Sequence, residues 1–234
     1  MDYIGNELEL FKHAHNWKNY YSKHFKKLLT QKVLEVGAGI GETTKFLCDG
    51  TQKKWLCVEP DEKLTQIIKS KKDSGYLPQN IQIFTGTLDS LTTDEKFDAI
   101  LYIDVIEHIE NDSEELKKAN ERLAANGNLI VLVPAHNFLF SPFDKAIGHY
   151  RRYNKKMLQL AVPKGLTQKK LIYLDSVGLL ASLVNKFFLK QSYPTVKQVL
   201  FWDKFIIPVS RVTDKVFFNS IGKTTVGIWQ KKTE

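Results

Sequence analysis

The run Asp104-Val-Ile-Glu107-His108 sets two carboxylates and an imidazole close together, and Gly148-His149-Tyr150-Arg151-Arg152-Tyr153 adds a second imidazole, two guanidiniums and two phenols. Three kinds of chemistry fit. His108 or His149, with Asp104 nearby, can take a proton from a nucleophile or hydrogen-bond within a pocket. If the residues after Asp104 are helical, Asp104, Glu107 and His108 share a face. With His149 as a fourth ligand they can hold a divalent cation that orients a hydroxyl and lowers its pKa. In the third reading no metal binds: Glu107 and His108 cap or pack a helix start and line the pocket, where Glu107 and His149 are expected to touch substrate. The arginines divide in the same way. Arg151 and Arg152 can grip a phosphate or carboxylate, with Tyr150 and Tyr153 flanking a flat or sugar-like group. Alternatively an arginine pairs with Asp144 and locks the loop. His13, His15, His24 and His136 read as solvated or structural.

A second constellation is "VLEVGAGIG", Val33–Gly41. A dinucleotide site asks for G-x-G-x-x-G. Here the spacing is G-x-G-x-G (Gly37, Gly39, Gly41), and the sixth position of the dinucleotide pattern holds Glu42. Glu35, at the end of the preceding apolar run, would repel a pyrophosphate and suit an ammonium. The ligand at this turn is therefore partly cationic and carries no phosphate. S-adenosylmethionine, with an amino acid end, a sulfonium and an adenosine, meets that description. Glu59, followed by Pro60 at the end of the next run, can accept both ribose hydroxyls.

Together these stretches resemble the class I S-adenosylmethionine-dependent methyltransferases over nearly the whole length. "LEVGAGIGETT" corresponds to the first motif and "VEP" to the second. "GTLDSL" (Gly86–Leu91) corresponds to the adenine-facing loop, "FDAILYIDVIEHI" to the fourth-strand motif and "NGNLIVLVP" to the fifth strand. The resemblance implies a doubly wound α/β sheet of seven strands in the order 3-2-1-4-5-7-6, the seventh antiparallel. It places cofactor contacts at Glu35, Gly37, Ala38, Gly39, Gly41, Thr43, Glu59, Pro60, Thr87, Leu88, Ile103 and Asp104, with S-adenosylhomocysteine as product. Many relatives carry an acid where this chain has Thr87, so adenine is expected to meet the Thr87 hydroxyl and the Leu88 backbone. The acid-x-x-Glu-His run is also similar to that of ubiquinone-pathway O-methyltransferases and of small-RNA 3′-end 2′-O-methyltransferases, whose later histidine His149 would supply. The "GHYRRY" ending resembles bacterial methyltransferases of surface-glycan or secondary metabolism.

The elements that must position these groups alternate. Apolar runs at Lys32–Val36, Trp55–Val58, Ile81–Phe84, Phe97–Ile103 and Asn128–Val133 lack a polar face and read as buried parallel strands. Between them lie helix candidates at Glu42–Asp49, Glu62–Lys72 and Ser113–Ala125, the last stopped by Asn126-Gly127. A loop-rich stretch runs from 134 to Gly165. Lys169–Leu174 and Thr225–Gln230 read as two more strands. The insertion between them, 176–223, carries two apolar stripes: Leu179, Leu180, Leu183, Val184, Phe187 and Phe188, then Phe205, Ile206, Val209, Val212, Val216 and Phe217. Pro194 and Pro208 break or bend it. Residues 1–30 form a helical cap with an aromatic face (Phe11, Trp17, Tyr20, Tyr21, Phe25), of which Trp17 and Tyr21 are expected to touch substrate. The chain is thus expected to be one domain: a core at 31–175 and 224–234, a cap at 1–30 and a helical lid at 176–223.

The 234 residues are 43% hydrophobic with a net charge of +8, which excludes a disordered chain. No uncharged run reaches the roughly 18 apolar residues needed to cross a bilayer. Nothing at the start, where Asp2, Glu7 and Glu9 interrupt, resembles a signal peptide. Cys48 and Cys57 show neither metal nor redox spacing. A reduced, cytoplasmic protein is expected, with peripheral contact at the inner membrane face left open. Lys186, Lys190, Lys197, Lys204, Arg211 and Lys215 interleave the stripes, which either rest on anionic lipid or pack on the domain or a second subunit; packing is the leading expectation.

The leading function is O-methylation of a small or lipid-linked anionic acceptor. Alternatives are a metal-assisted RNA 2′-O-methyltransferase and a module that binds the cofactor without catalysis. Against RNA, no long basic tract is present. A nicotinamide oxidoreductase fails on the glycine spacing and on Glu35.

Overall fold

The computed structural model describes residues 7–189 and 193–233. Seven strands form one sheet in the order β3-β2-β1-β4-β5-β7-β6. They are β1 (Lys32–Val36), β2 (Lys54–Glu59), β3 (Ile81–Thr85), β4 (Phe97–Ile103), β5 (Leu123–Pro134), β6 (Leu166–Leu174) and β7 (Thr224–Lys231). The first five pair in parallel, and β7 runs antiparallel between β5 and β6. The fold class and strand order are those expected. The central strands have helices or loops on both faces, so Val33, Leu34, Ile100, Leu101, Ile130 and Val131 are all buried. That is why their sequences are apolar without alternation.

The helices are α1 (Glu7–Phe11), α2 (His15–Ser22), α3 (Glu42–Leu47), α4 (Glu62–Asp73), α5 (Asp112–Arg122), α6 (Pro142–Ala146), α7 (Lys155–Ala161), α8 (Ser176–Val184), α9 (Val196–Phe201) and α10 (Ile207–Val216). Each face of the sheet has its own core. On one, Leu116 and Ala119 of α5 and Leu158 of α7 pack over Leu34, Ile100 and Val131. On the other, Trp17, Tyr20 and Tyr21 of α2, with Phe25, meet Val199, Trp202 and Ile207 of the insertion over Val33, Leu101 and Leu132. The N-terminal segment and the insertion therefore share one core. Cys48 and Cys57 are buried free thiols.

Four local features differ from the sequence expectations. First, α5 stops at Arg122: Leu123 pairs with Phe97, and Asn126 (φ +62) then turns the chain before Asn128 pairs with Ala99. Asn126-Gly127 marks a bulge at the entry to β5, not a helix end. Second, the stretch after 134 holds α6 and α7. They start where Ser141 forms a capping box with Asp144 and where the Asn154 side chain accepts from the Met157 N–H.

Third, Pro194 precedes a new helix start, capped by Thr195 and Gln198, but Pro208 breaks nothing. A π-helical turn at Trp202–Ile206 joins α9 to α10, so Pro208 falls in the first turn of α10, where its missing N–H is not needed. Fourth, most of the two apolar stripes does not pack on the domain, although Ile206 meets the core and Leu179 and Leu183 are partly buried. Leu180, Val184, Phe187, Phe205, Val209, Val212, Val216 and Phe217 are exposed. The Phe188 side chain and Lys190, like Asp2 near the start, lie outside the described residues.

The insertion instead turns its acids inward. Asp203 accepts the backbone N–H of Trp17 at 2.8 Å. Asp214 accepts the Tyr20 hydroxyl at 2.8 Å and the N–H groups of Asp175 and Ser176 at 2.7 and 2.8 Å. Asp175, itself at φ +65, accepts from Trp202 Nε1 at 2.7 Å and Ser210 Oγ at 2.6 Å. These buried carboxylates hold α2, α8 and α10 together.

Candidate active site

The β1–α3 turn needs its glycines. Gly37 and Gly39 sit at φ +69 and +56, where an L side chain is strained. A Cβ on Gly37 would come within 2.5 Å of Val105. The bare turn forms one wall of a cavity of about 300 Å³ beyond the ends of β1 and β4, where a doubly wound sheet holds its ligands. Gly37, Ala38, Gly39 and Thr43 line it together with Ile103, Asp104, Glu107 and His108. Trp17 and Tyr21 of α2, Trp202 and Ser182 of the insertion, and Asp144, His149 and Arg152 close it.

Glu35 is not on that wall. It lies under the turn, 2% exposed, and its Oε2 accepts from Thr44 Oγ1 at 2.7 Å and Trp55 Nε1 at 2.8 Å. Burial pushes its pKa up to about 7 despite these bonds. The ammonium contact expected of Glu35 does not lie on the cavity wall: the side chain supports the turn from behind. Glu59 is buried beside it and accepts the Gly39 N–H at 2.8 Å and the Asp61 N–H at 3.1 Å. Gly86 reaches the Glu59 carbonyl through its N–H at 2.9 Å, which brings Thr87 and Leu88 to the end of β2 with Pro60. Glu35, Glu59, Pro60, Thr87 and Leu88, like Gly41, which starts α3 at φ +77, lie off the cavity lining. A turn free of side chains, opening on a cavity with acids behind it, fits the cofactor the sequence implied.

The chemistry-bearing residues fall into two sets. Asp104 follows β4 at φ +55, donates its N–H to the Leu132 carbonyl at 2.8 Å and opens into the cavity. Its side chain is open to the cavity, but desolvation by the protein crowded round it pushes its pKa up to about 7. The next residues form a 3₁₀ turn, Ile106–His108, not an α-helix, so Asp104 does not share a helix face with Glu107 and His108. Glu107, His108 and His149 do converge, with one ligand atom each within 4.8 Å of one another. Asp104 is not part of that group. Glu107 is fully buried, with both carboxylate oxygens lacking a hydrogen-bond partner. Burial and the Asp104 charge hold its pKa well above the usual carboxylate range.

His149 Nδ1 lies 3.0 Å from Asp144 Oδ1, and its Nε2 points to Glu107, 3.9 Å away. The His108 ring meets it edge-on, with centroids 4.5 Å apart, and burial lowers the His108 pKa to about 4.

The "HYRRY" groups serve the loop. Arg152 bonds both oxygens of Asp144, at 2.8 and 2.9 Å. Arg151 pairs with Asp112 at 2.9 Å and donates to the Glu110 carbonyl at 2.7 Å. The Tyr153 hydroxyl bonds Asp112 at 2.6 Å from a buried position. Of the two expectations for Arg151, Arg152 and Tyr153, these pairings favour the loop lock over the anion grip, while Arg152 also lines the cavity. His136 likewise bonds the Gly222 carbonyl at 3.0 Å.

Sequence reasoning missed Lys18, Lys223 and Trp202. Lys18 is buried between α1 and α2 with its ammonium on the Phe11 carbonyl at 2.7 Å, and desolvation lowers its pKa to about 8. Lys223 sits 4.2 Å from the Trp202 ring centroid. No spacing rule points to either lysine. Trp202, an aromatic beside the buried Asp203, was the one visible signal.

A family model described as "Methyltransferase domain" matches residues 10–182. The chain is 27% identical over 125 residues to an (S)-coclaurine N-methyltransferase of Papaver somniferum, an alignment covering 49% of this chain. It spans only about a third (33%) of that relative's length. Among solved structures, coclaurine N-methyltransferase bound to N-methylheliamine and S-adenosylhomocysteine superposes with a TM-score of 0.64 at 14% identity, covering 93% of this chain and 70% of the other. The N-methyltransferase NodS of Bradyrhizobium japonicum, in complex with S-adenosylhomocysteine, superposes at 0.60 with 11% identity, covering 99% and 94%.

Proposed function

The chain belongs to the methyltransferase domain family, and from that premise we propose that it methylates a nitrogen of a small acceptor, with His149 as general base. S-adenosylmethionine supplies the activated methyl group. The observation that carries this reading is the acidic, imidazole-rich end of the cavity. Asp104 and Glu107 line it, while Arg152 is paired with Asp144, Lys223 with Asp175 and Lys12 with Glu9, and Lys18 donates to the Phe11 carbonyl. A protonated amine there would meet the Asp104 carboxyl and the unpartnered oxygens of Glu107, and its charge would favour their ionised forms. The relatives named above as N-methyltransferases agree with this reading.

The residues divide the work. Asp104 and Glu107 hold the acceptor's positive charge. His149 Nε2 takes the proton that leaves the nitrogen, freeing its lone pair for the methyl carbon. Asp144, on Nδ1, fixes the tautomer and stabilises the imidazolium, and Arg152 holds Asp144. Trp17, Tyr21 and Trp202 wall the cavity and exclude water. The test is label transfer from methyl-labelled S-adenosylmethionine into cell extract divided into cationic, neutral, anionic and RNA fractions. Label in the cationic small molecules, with His149→Ala lowering turnover by about 100-fold or more at unchanged S-adenosylhomocysteine affinity, is expected. Label confined to anions or RNA sinks the reading.

A second reading rests on Glu107, His108 and His149. One carboxylate and two imidazoles suit a divalent ion that would orient an acceptor hydroxyl, with Asp144 as the outer partner of His149. Turnover abolished by a chelator and restored by a divalent metal would favour it.

A further inference from the structure

The insertion is inside out. Phe201, Phe205, Val209, Val212 and Val216 recur at helical spacing along α9, the π-turn and α10, on the side facing away from the protein. Phe205 is 53% exposed, Val212 63% and Val216 65%. The opposite side holds Trp202, Asp203, Ile207, Ser210 and Asp214, all buried. The neighbouring α8 and its π-helical extension repeat the pattern: Leu180, Val184 and Phe187 point out, at 62%, 49% and 64%. Phe217 and Phe218 continue the apolar surface past the end of α10.

An outward face this apolar demands an occupant, and its charge says which. Between 176 and 222 the sequence has only two acids, Asp203 and Asp214, and both are buried. Lys186, Lys197, Lys204 and Lys215 are exposed on the same helices. A second copy of this chain across a two-fold axis would bring lysine against lysine, with no carboxylate on the face to answer. Single-stranded nucleic acid asks for a run of aromatic platforms, but much of the stripe is valine and leucine. Aliphatic and phenyl side chains in the middle, lysines beside them and no exposed acid are the composition of a surface that rests in the headgroup boundary of an anionic bilayer.

We propose that the outward face formed by α8, α9 and α10 docks the protein on an anionic lipid surface. Phe201, Phe205, Val209, Val212 and Val216 enter the acyl boundary, and the lysines meet the phosphates. No helix among the described residues is long and apolar enough to cross the membrane, so the contact is peripheral. This inference stands apart from the acceptor's identity.

The experiment is vesicle co-sedimentation of the full chain. Phosphatidylcholine vesicles are compared with vesicles containing phosphatidylglycerol, at low and high salt. Binding to the anionic vesicles should exceed binding to the neutral ones by about tenfold and fall with salt. The variant Phe205→Ser/Val212→Ser/Val216→Ser removes outward side chains alone, so its thermal midpoint should stay near that of the parent while binding drops about tenfold or more. Lys204→Ser and Lys215→Ser should each weaken binding about fivefold. Failure to bind either vesicle overturns the proposal. So does a solution dimer that the triple variant abolishes, or binding to RNA in place of vesicles.

Discussion

At the residue scale, the centre of the site is an imidazole held from both sides. Asp144 fixes His149, and Arg152 with Ser141 fixes Asp144, which keeps that carboxyl well below its ordinary pKa. Asp144→Asn should therefore cost activity by a different route from His149→Ala. It leaves Arg152 without its ion partner, loosens the loop and weakens the base together. A fall in kcat with a displaced pH profile, beside a stability loss of about 2–4 kcal/mol, is the expected result, read by kinetics and urea unfolding.

Glu35 permits a cleaner test. Its folded-state pKa of about 7 lies above the ordinary 4.5, so the folded protein keeps a proton that the unfolded chain releases in that window. Its contribution to stability thus falls as pH rises from about 4.5 to about 7 and is flat beyond. Glu35→Gln, which keeps an oxygen for Thr44 and Trp55, should remove that fall. The variant is expected to be more stable than the parent by about 1–3 kcal/mol at pH 8 and equal to it at pH 4, by urea midpoints of the cofactor-free protein.

At the element scale, the glycine turn and the insertion make opposite points about reading a sequence. The turn was legible because its constraint is local: positive φ at Gly37 and Gly39 forces residue type. Gly37→Ala meets both the strained φ and Val105, and should lower cofactor affinity and cost about 1–3 kcal/mol of stability. Calorimetric titration with S-adenosylhomocysteine checks the first and thermal unfolding the second. Strands β1 and β4 were equally legible, since burial on both faces leaves an unbroken apolar run. The insertion's stripes were visible as period but not as direction, because a helical repeat marks a face without saying what covers it. Asp203 and Asp214 were the missed clue: their partners are backbone N–H groups more than thirty residues away, and no spacing rule reports those. The Glu35 side chain makes a related point. Its strand position was read correctly, but its side chain's direction depended on Thr44 and Trp55.

At the scale of the whole molecule, cap, insertion and sheet share one core, so they should melt as one. Asp214→Ala strips a partner from Tyr20 of α2 and from the two backbone N–H groups at the start of α8 at once. It should lower stability by about 2–4 kcal/mol without splitting the transition. Coincident far-ultraviolet dichroism and fluorescence melts are expected. Two separated transitions would show the cap and insertion to be an independent unit.

The tryptophans extend that use of fluorescence. Of the four in the sequence, Trp55 is buried under the glycine turn and Trp229 in β7. Trp17 and Trp202 line the cavity with ring centroids 5.7 Å apart, and the Lys223 ammonium lies over the second ring. The molecule thus carries its own optical gauge of occupancy. Anything that enters the cavity changes the polarity around a coupled indole pair, so binding can be followed by emission from the unlabelled protein before any acceptor is known.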